Sequence, residues 1–248
     1  MVLTVLSIIL SILLVVVGVL AFGISGGELP LLALAIPMLW LIPQGGVATW
    51  VLLGGMSLFG LTLSEQPLSL SIAVWTLFPL LMVIFSRRKS IHLVAFIIAV
   101  VVAMEAGIMA LQYEGRLEGS ASLTLVQIIS VILVWIAARS WKPVNRNAWW
   151  PLVLVIPLWI GGLQHAALVA LSITGLIVCL QSLGRSKYRD WLSMLSWLLP
   201  VIAFATLIIS PKFEVPASVM VSWLMILMIL MIGWVTDFMM QVDDEPID

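Results

Sequence analysis

The sequence predicts an all-α polytopic membrane protein, with about ten transmembrane segments arranged as two inverted five-segment repeats. Three observations carry that prediction. Of 248 residues, 63% are hydrophobic and 9% are charged, whereas a soluble domain is near half apolar and a quarter charged. The apolar residues form continuous runs, unlike the alternating strands of a membrane barrel. The chain also matches itself when slid by 120 residues, a spacing that places one half on the other.

A helical span needs about 20 apolar residues. Cutting the chain at charges and at Pro/Gly clusters gives ten segments: 3–23, 30–43, 46–63, 68–86, 91–111, 122–138, 148–161, 164–183, 191–210 and 216–237. The first lacks a basic flank and is longer than a signal-peptide core, so it reads as a retained span. No polar stretch exceeds a loop. The last residues, 243–248, form a short acidic tail.

The basic residues orient these segments. Arg87, Arg88 and Lys89 share one loop; Arg139, Lys142 and Arg146 share a second; Arg185, Lys187 and Arg189 share a third. In a ten-segment count all three loops fall on one face. Arg116 and Lys212 fall on the other, each near a glutamate. The positive-inside rule makes the three basic loops cytoplasmic. The expected location is the plasma membrane, bacterial inner membrane in type, with both termini cytoplasmic.

The duplication divides the chain at 1–119 and 120–248. Leu3, Thr4, Ile8, Ile9, Ile12 and Leu13 fall on Leu123, Thr124, Ile128, Ile129, Ile132 and Leu133. Leu32, Leu34, Ile36 and Pro37 fall on Leu152, Leu154, Ile156 and Pro157. Gln44 falls on Gln164 and Gly55 on Gly175, and one extra residue puts Pro79 on Pro200. Proline and glutamine are scarce here, so their recurrence weighs more than matched leucines. Five segments per half is an odd number, so the second copy enters the membrane from the opposite side. Repeated sequence with inverted topology is a layout of secondary transporters, whose sites lie at short or broken helices between the repeats.

The second and third segments of each half therefore hold the candidate site. Segment 30–43 contains Pro37 and ends in Pro43, Gln44, Gly45 and Gly46. Its counterpart contains Pro157 and ends in Gly161, Gly162, Leu163, Gln164 and His165. At 14 residues the first reaches about 21 Å, against a hydrocarbon core of about 30 Å. Proline weakens the helix and glycine permits the tight turn. Ten full spans fit the charges as well as six spans with two re-entrant hairpins do. Either way Gln44 and Gln164 are expected to approach one pathway from opposite sides, with Trp40 and Trp159 as candidate walls. His165 can hydrogen-bond a substrate or carry a proton.

Glu105 is a carboxylate well inside a predicted span, in Met104-Glu105-Ala106. An intramembrane carboxylate is a functional expectation unless the helix ends early and leaves it at the interface. His92, beside Arg87–Lys89, reads as interfacial, and Gln127 as helix-to-helix glue. Asp237 marks the expected cytoplasmic end of the last helix.

Other functions are excluded or disfavoured. A net charge of −1 offers no basic face for nucleic acid. One cysteine, Cys179, and two histidines cannot build a multi-histidine or thiolate metal site. No catalytic residue, metal or cofactor is expected, because no nucleophile elbow, zincin motif or phosphate-binding loop occurs. The expected function is a secondary transporter or flippase that moves a small molecule, an ion or a lipid carrier by alternating access. The alternative is a non-catalytic membrane subunit of a larger complex. Expected partners are membrane lipids, with a homodimer or a partner membrane subunit as further options.

Overall fold

In lipid every backbone N–H and C=O must be satisfied within the segment, and apolar runs meet that demand by becoming helices. The computed structural model of the chain is accordingly helical. It describes residues 2–25, 29–85, 91–140, 149–184 and 190–243, and among them there is no strand. Four helices are long and apolar enough to cross a bilayer: 4–24, 94–113, 121–140 and 164–184.

The first half begins with α1 (Val2–Ile24). α2 (Leu31–Leu41) opens after Pro30, held extended at φ −62° and ψ 144°. Pro37 lies inside α2 and leaves the carbonyl of Ala33 without its helical donor. A 3-10 turn, Ile42–Gln44, then leads to Gly45 and Gly46 at φ +64° and +87°. That left-handed pair reverses the chain into α3 (Val47–Thr62), with the Thr49 hydroxyl donating to the Gly45 carbonyl at 2.6 Å. α4 (Leu68–Trp75) and α5 (Leu77–Ile84) divide the predicted segment 68–86 at Thr76. Pro79 cannot bond the Trp75 carbonyl, and the chain tightens there, with Thr76 bonding Ala73 through both N–H and hydroxyl. α6 (Ile91–Tyr113) closes the half.

The second half is helical as well. α7 (Ala121–Ser140) corresponds in position to α1. The predicted segment 148–161 becomes a 3-10 stretch, Trp150–Leu154, followed by α8 (Val155–Ile160). Pro151 and Pro157 each remove a donor there, which favours the broken geometry. Gly161 and Gly162 turn the chain, the latter at φ +78°. α9 (Gln164–Gly184), α10 (Asp190–Ile209) and α11 (Ala217–Asp243) complete the fold. Pro200 lies inside α10 without dividing it, unlike its counterpart Pro79.

Packing crosses between the halves. α1 lies along α9, and α3 lies along α7. A Cβ on Gly175 would sit 2.9 Å from the Leu14 side chain; one on Gly55 would sit 2.9 Å from the Val134 side chain. The 120-residue offset takes Gly55 to Gly175 and Leu14 to Val134, so one contact is the other with the halves exchanged. α1 also packs on α10, as α7 packs on α4 and α5. Small residues let these backbones approach, which matters because lipid supplies no hydrophobic drive for helices to associate. The described ion pair, Glu114–Arg116 at 3.5 Å, is exposed and contributes at most about 1 kcal/mol.

The largest apolar core lies among α4, α5, α6, α7, α10 and α11, around Leu70, Ile108, Val131, Phe204 and Ile226. Phe204 and Trp223 stack there with centroids 4.3 Å apart. Serine and threonine hydroxyls inside helices are satisfied by their own turns, as in Ser130 to the Val126 carbonyl and Thr174 to the Ala170 carbonyl.

Candidate functional site

The two short helices meet. Ala33 and Ile36 of α2 form a buried apolar seam with Leu158 of α8 and Ala166, Ala167 and Ala170 of α9. At the other end Trp40 of α2 sets its ring edge-on against Trp149, with centroids 5.3 Å apart and planes at 86°. The start of α2 therefore lies beside the end of α8, and the end of α2 beside the start of the 3-10 stretch. The two short helices run antiparallel, so their glycine turns lie at opposite ends of the packed pair.

That arrangement places the expected residues unequally. Pro37 and Trp40 are buried in α2; Pro157 and Trp159 are exposed. The indole Nε1 of Trp40 has no hydrogen-bond partner. Gly45, Gly46, Gly161, Gly162, Gln164 and His165 are exposed at the two turns. The side chain of Gln44 lies outside the described residues, as do those of His92 and Asp237 and the basic loops 86–90, 141–148 and 185–189. Trp40 and Trp159 do not share a wall: one is buried at the Trp149 end of α2 and the other is 50% exposed on α8.

No family model matches the chain, and neither does any curated protein or solved structure. The site is therefore defined by its own geometry.

A second constellation holds more polar chemistry than the glycine turns. α6 continues two turns past Glu105 to Tyr113, so the carboxylate does not lie at a helix end. Glu105 is 6% exposed, and its Oε2 has no hydrogen-bond partner. Two turns further along the same face, Gln112 is also buried. The Thr124 hydroxyl of α7 donates to Gln112 Oε1 at 2.8 Å. Gln66 Nε2 donates to the Ser120 carbonyl at 2.7 Å and to Thr124 Oγ1 at 3.3 Å. One turn along α7, Gln127 Nε2 donates to Ser71 Oγ of α4 at 2.9 Å, while Gln127 Oε1 has no partner. Gln127 is thus the helix-to-helix glue its position suggests.

The Gln66–Gln112–Thr124 cluster is not legible in the sequence. Its members lie 46 and 58 residues apart. The available signal is three polar groups flanking turns at segment ends, and ordinary interfacial loops carry the same signal. Gln181 of α9, 2% exposed with neither amide atom partnered, was equally hidden. The described residues contain no group of three His, Cys, Asp or Glu side chains placed to hold a metal.

Proposed function

We propose that the protein is a secondary transporter or flippase built from two inverted five-segment repeats, with its pathway along the seam between the two short helices. The observation that carries this reading is the exchange of packing partners: α1 on α9 and α3 on α7, with Gly175–Leu14 and Gly55–Val134 as equivalent contacts. Antiparallel short helices support it further, since an inverted pair must run in opposite directions. Such a seam can open toward either side by motion of one half against the other. The cargo class is a small molecule, an ion or a lipid carrier.

The seam makes the reading testable without knowing the cargo. Ile36→Cys, in a Cys179→Ser background, places a thiol at a fully buried seam position. Alternating access expects it to react slowly with a membrane-impermeant maleimide from both sides, in right-side-out and in inverted vesicles alike. A thiol that stays unreactive from both sides would end the transport reading and favour a static membrane subunit.

Orientation is a separate matter. Helix ends gather in two sets: Gln66 bonds Ser120, while Phe85 packs on Trp135 with centroids 5.0 Å apart. The first set belongs to the loops around Glu65 and Arg116. The second adjoins the basic loops, and Arg139 lies over the Trp135 ring at 5.2 Å. A plasma-membrane protein with both termini cytoplasmic should have the first set outside. Arg116→Cys should then label in intact cells, and Arg139→Cys only after permeabilisation. The opposite pattern would invert the assignment.

A further inference from the structure

We propose that Glu105 is a proton-exchanging group reached from the Gln112 end of the α6–α7 pair. This exchange site stands independently of the transport reading.

Glu105 lies about 12 Å inside the Tyr113 end of α6 and shares a buried face with Ile97, Ile108 and Gln112. α6 packs on α7 and α11. The ionisable side chain of α7 is Arg139, at the far end and exposed, lying over Trp135. The described side chains of α11 include none, and those of Asp237 and Asp243 lie outside the described residues. On α6 itself Tyr113 is 90% exposed at the outer end, and the side chain of His92 lies outside the described residues. Glu114, Arg116 and Glu118 are exposed in the turn beyond. No cation in the described surroundings compensates a carboxylate here, and an uncompensated charge in such a place is costly. A metal held by His, Cys, Asp or Glu side chains would need further such ligands, and the described residues offer no group of three. A proton needs none.

The second step is access. Gln112 lies two turns outward on the face of Glu105, tied to Thr124 and, through a 3.5 Å contact, to Gln66. Gln127 and Ser71 carry polar groups one turn deeper along α7 and α4. These amides and hydroxyls gather at and one turn below the Ser120 turn, with Gln112 two helical turns from Glu105, and they can hydrogen-bond an entering water. Exchange is then simple: the carboxyl O–H gives its proton to a water at the Gln112 end, leaving the carboxylate, and takes one back to reload.

The test is infrared difference spectroscopy of the full chain in lipid, wild type against Glu105→Gln. The wild type should show a protonated carboxyl C=O band at neutral pH that the variant lacks. The band should shift in D2O and disappear in strong alkali. Gln112→Leu should keep the band but slow its deuterium shift several-fold. Absence of the band at neutral pH overturns the proposal. So does a band that neither shifts in D2O nor titrates, which would mean a proton permanently shut in. A Gln112→Leu variant that exchanges at the wild-type rate overturns the route. If the Glu105 band titrates while Ile36→Cys stays unreactive, the transport reading falls and the exchange site stands.

Discussion

Gly55→Ala should lower the stability of the purified protein by about 1–3 kcal/mol, the usual cost of forcing extra volume into a packed interface. Gly175→Ala, its positional twin, should cost far less. The difference lies in what each new methyl meets. At Gly55 the Cβ would lie 3.0 Å from the Ser130 carbonyl oxygen and 3.2 Å from the Val134 backbone nitrogen. Backbone cannot rotate aside, so α7 must shift away from α3 along its length. At Gly175 the close atoms are the two methyls of Leu14, 2.9 and 3.4 Å away, and a leucine can change rotamer. Alanine also gains up to about 1 kcal/mol over glycine in a helix, which offsets much of that smaller clash. Thermal unfolding of both variants in one detergent reads the contrast. Equal losses, or a stabilised Gly55→Ala, would mean that α3 and α7 do not approach this closely.

The same pair shows how much of the fold the sequence carries. Gly55 and Gly175 were visible as a match at the 120-residue offset, because glycine inside an apolar run is a local signal. The short helix α2 and both glycine turns were visible for the same reason: proline and glycine act on their own backbone. The division at Thr76 was not, since Pro79 and Pro200 look alike in sequence and only one of them divides its helix. Whether a proline bends or breaks a helix depends on what packs around it. Glu105 shows the limit for the site. Its residue type announced a costly group, but only the continuation of α6 to Tyr113 separates a buried carboxyl from an interfacial one. Symmetry in the sequence points Gln44 and Gln164 at one pathway from opposite sides, and the antiparallel short helices set the two turns at opposite ends of their pair. Gln66, Gln112 and Thr124 show in sequence only as polar groups at segment ends, because their partnership exists only once three segment ends are brought together.

That partnership underlies the other large effect. Gly119→Ala should destabilise the protein by about 3 kcal/mol, with two causes adding. Gly119 has φ +91°, a left-handed conformation that costs an L-residue about 1–2 kcal/mol. Its missing Cβ also leaves the space that Gln66 Oε1 occupies, with Pro67 Cδ at 2.9 Å and Gln112 Nε2 at 3.0 Å. A methyl there expels the Gln66 amide, which then loses its bonds to the Ser120 carbonyl and Thr124. Leaving such groups buried and unpartnered costs about 1–3 kcal/mol. Gln66→Ala should remove the same bonds without the backbone strain and so cost less than Gly119→Ala. Because both changes break one cluster, the double variant should lose little more than Gly119→Ala alone. Strict additivity in thermal unfolding would show that Gly119 and Gln66 act independently. Non-additivity would place the tie between the α3–α4 turn and the α6–α7 turn in a single unit, and that unit joins the first half of the chain to the start of the second.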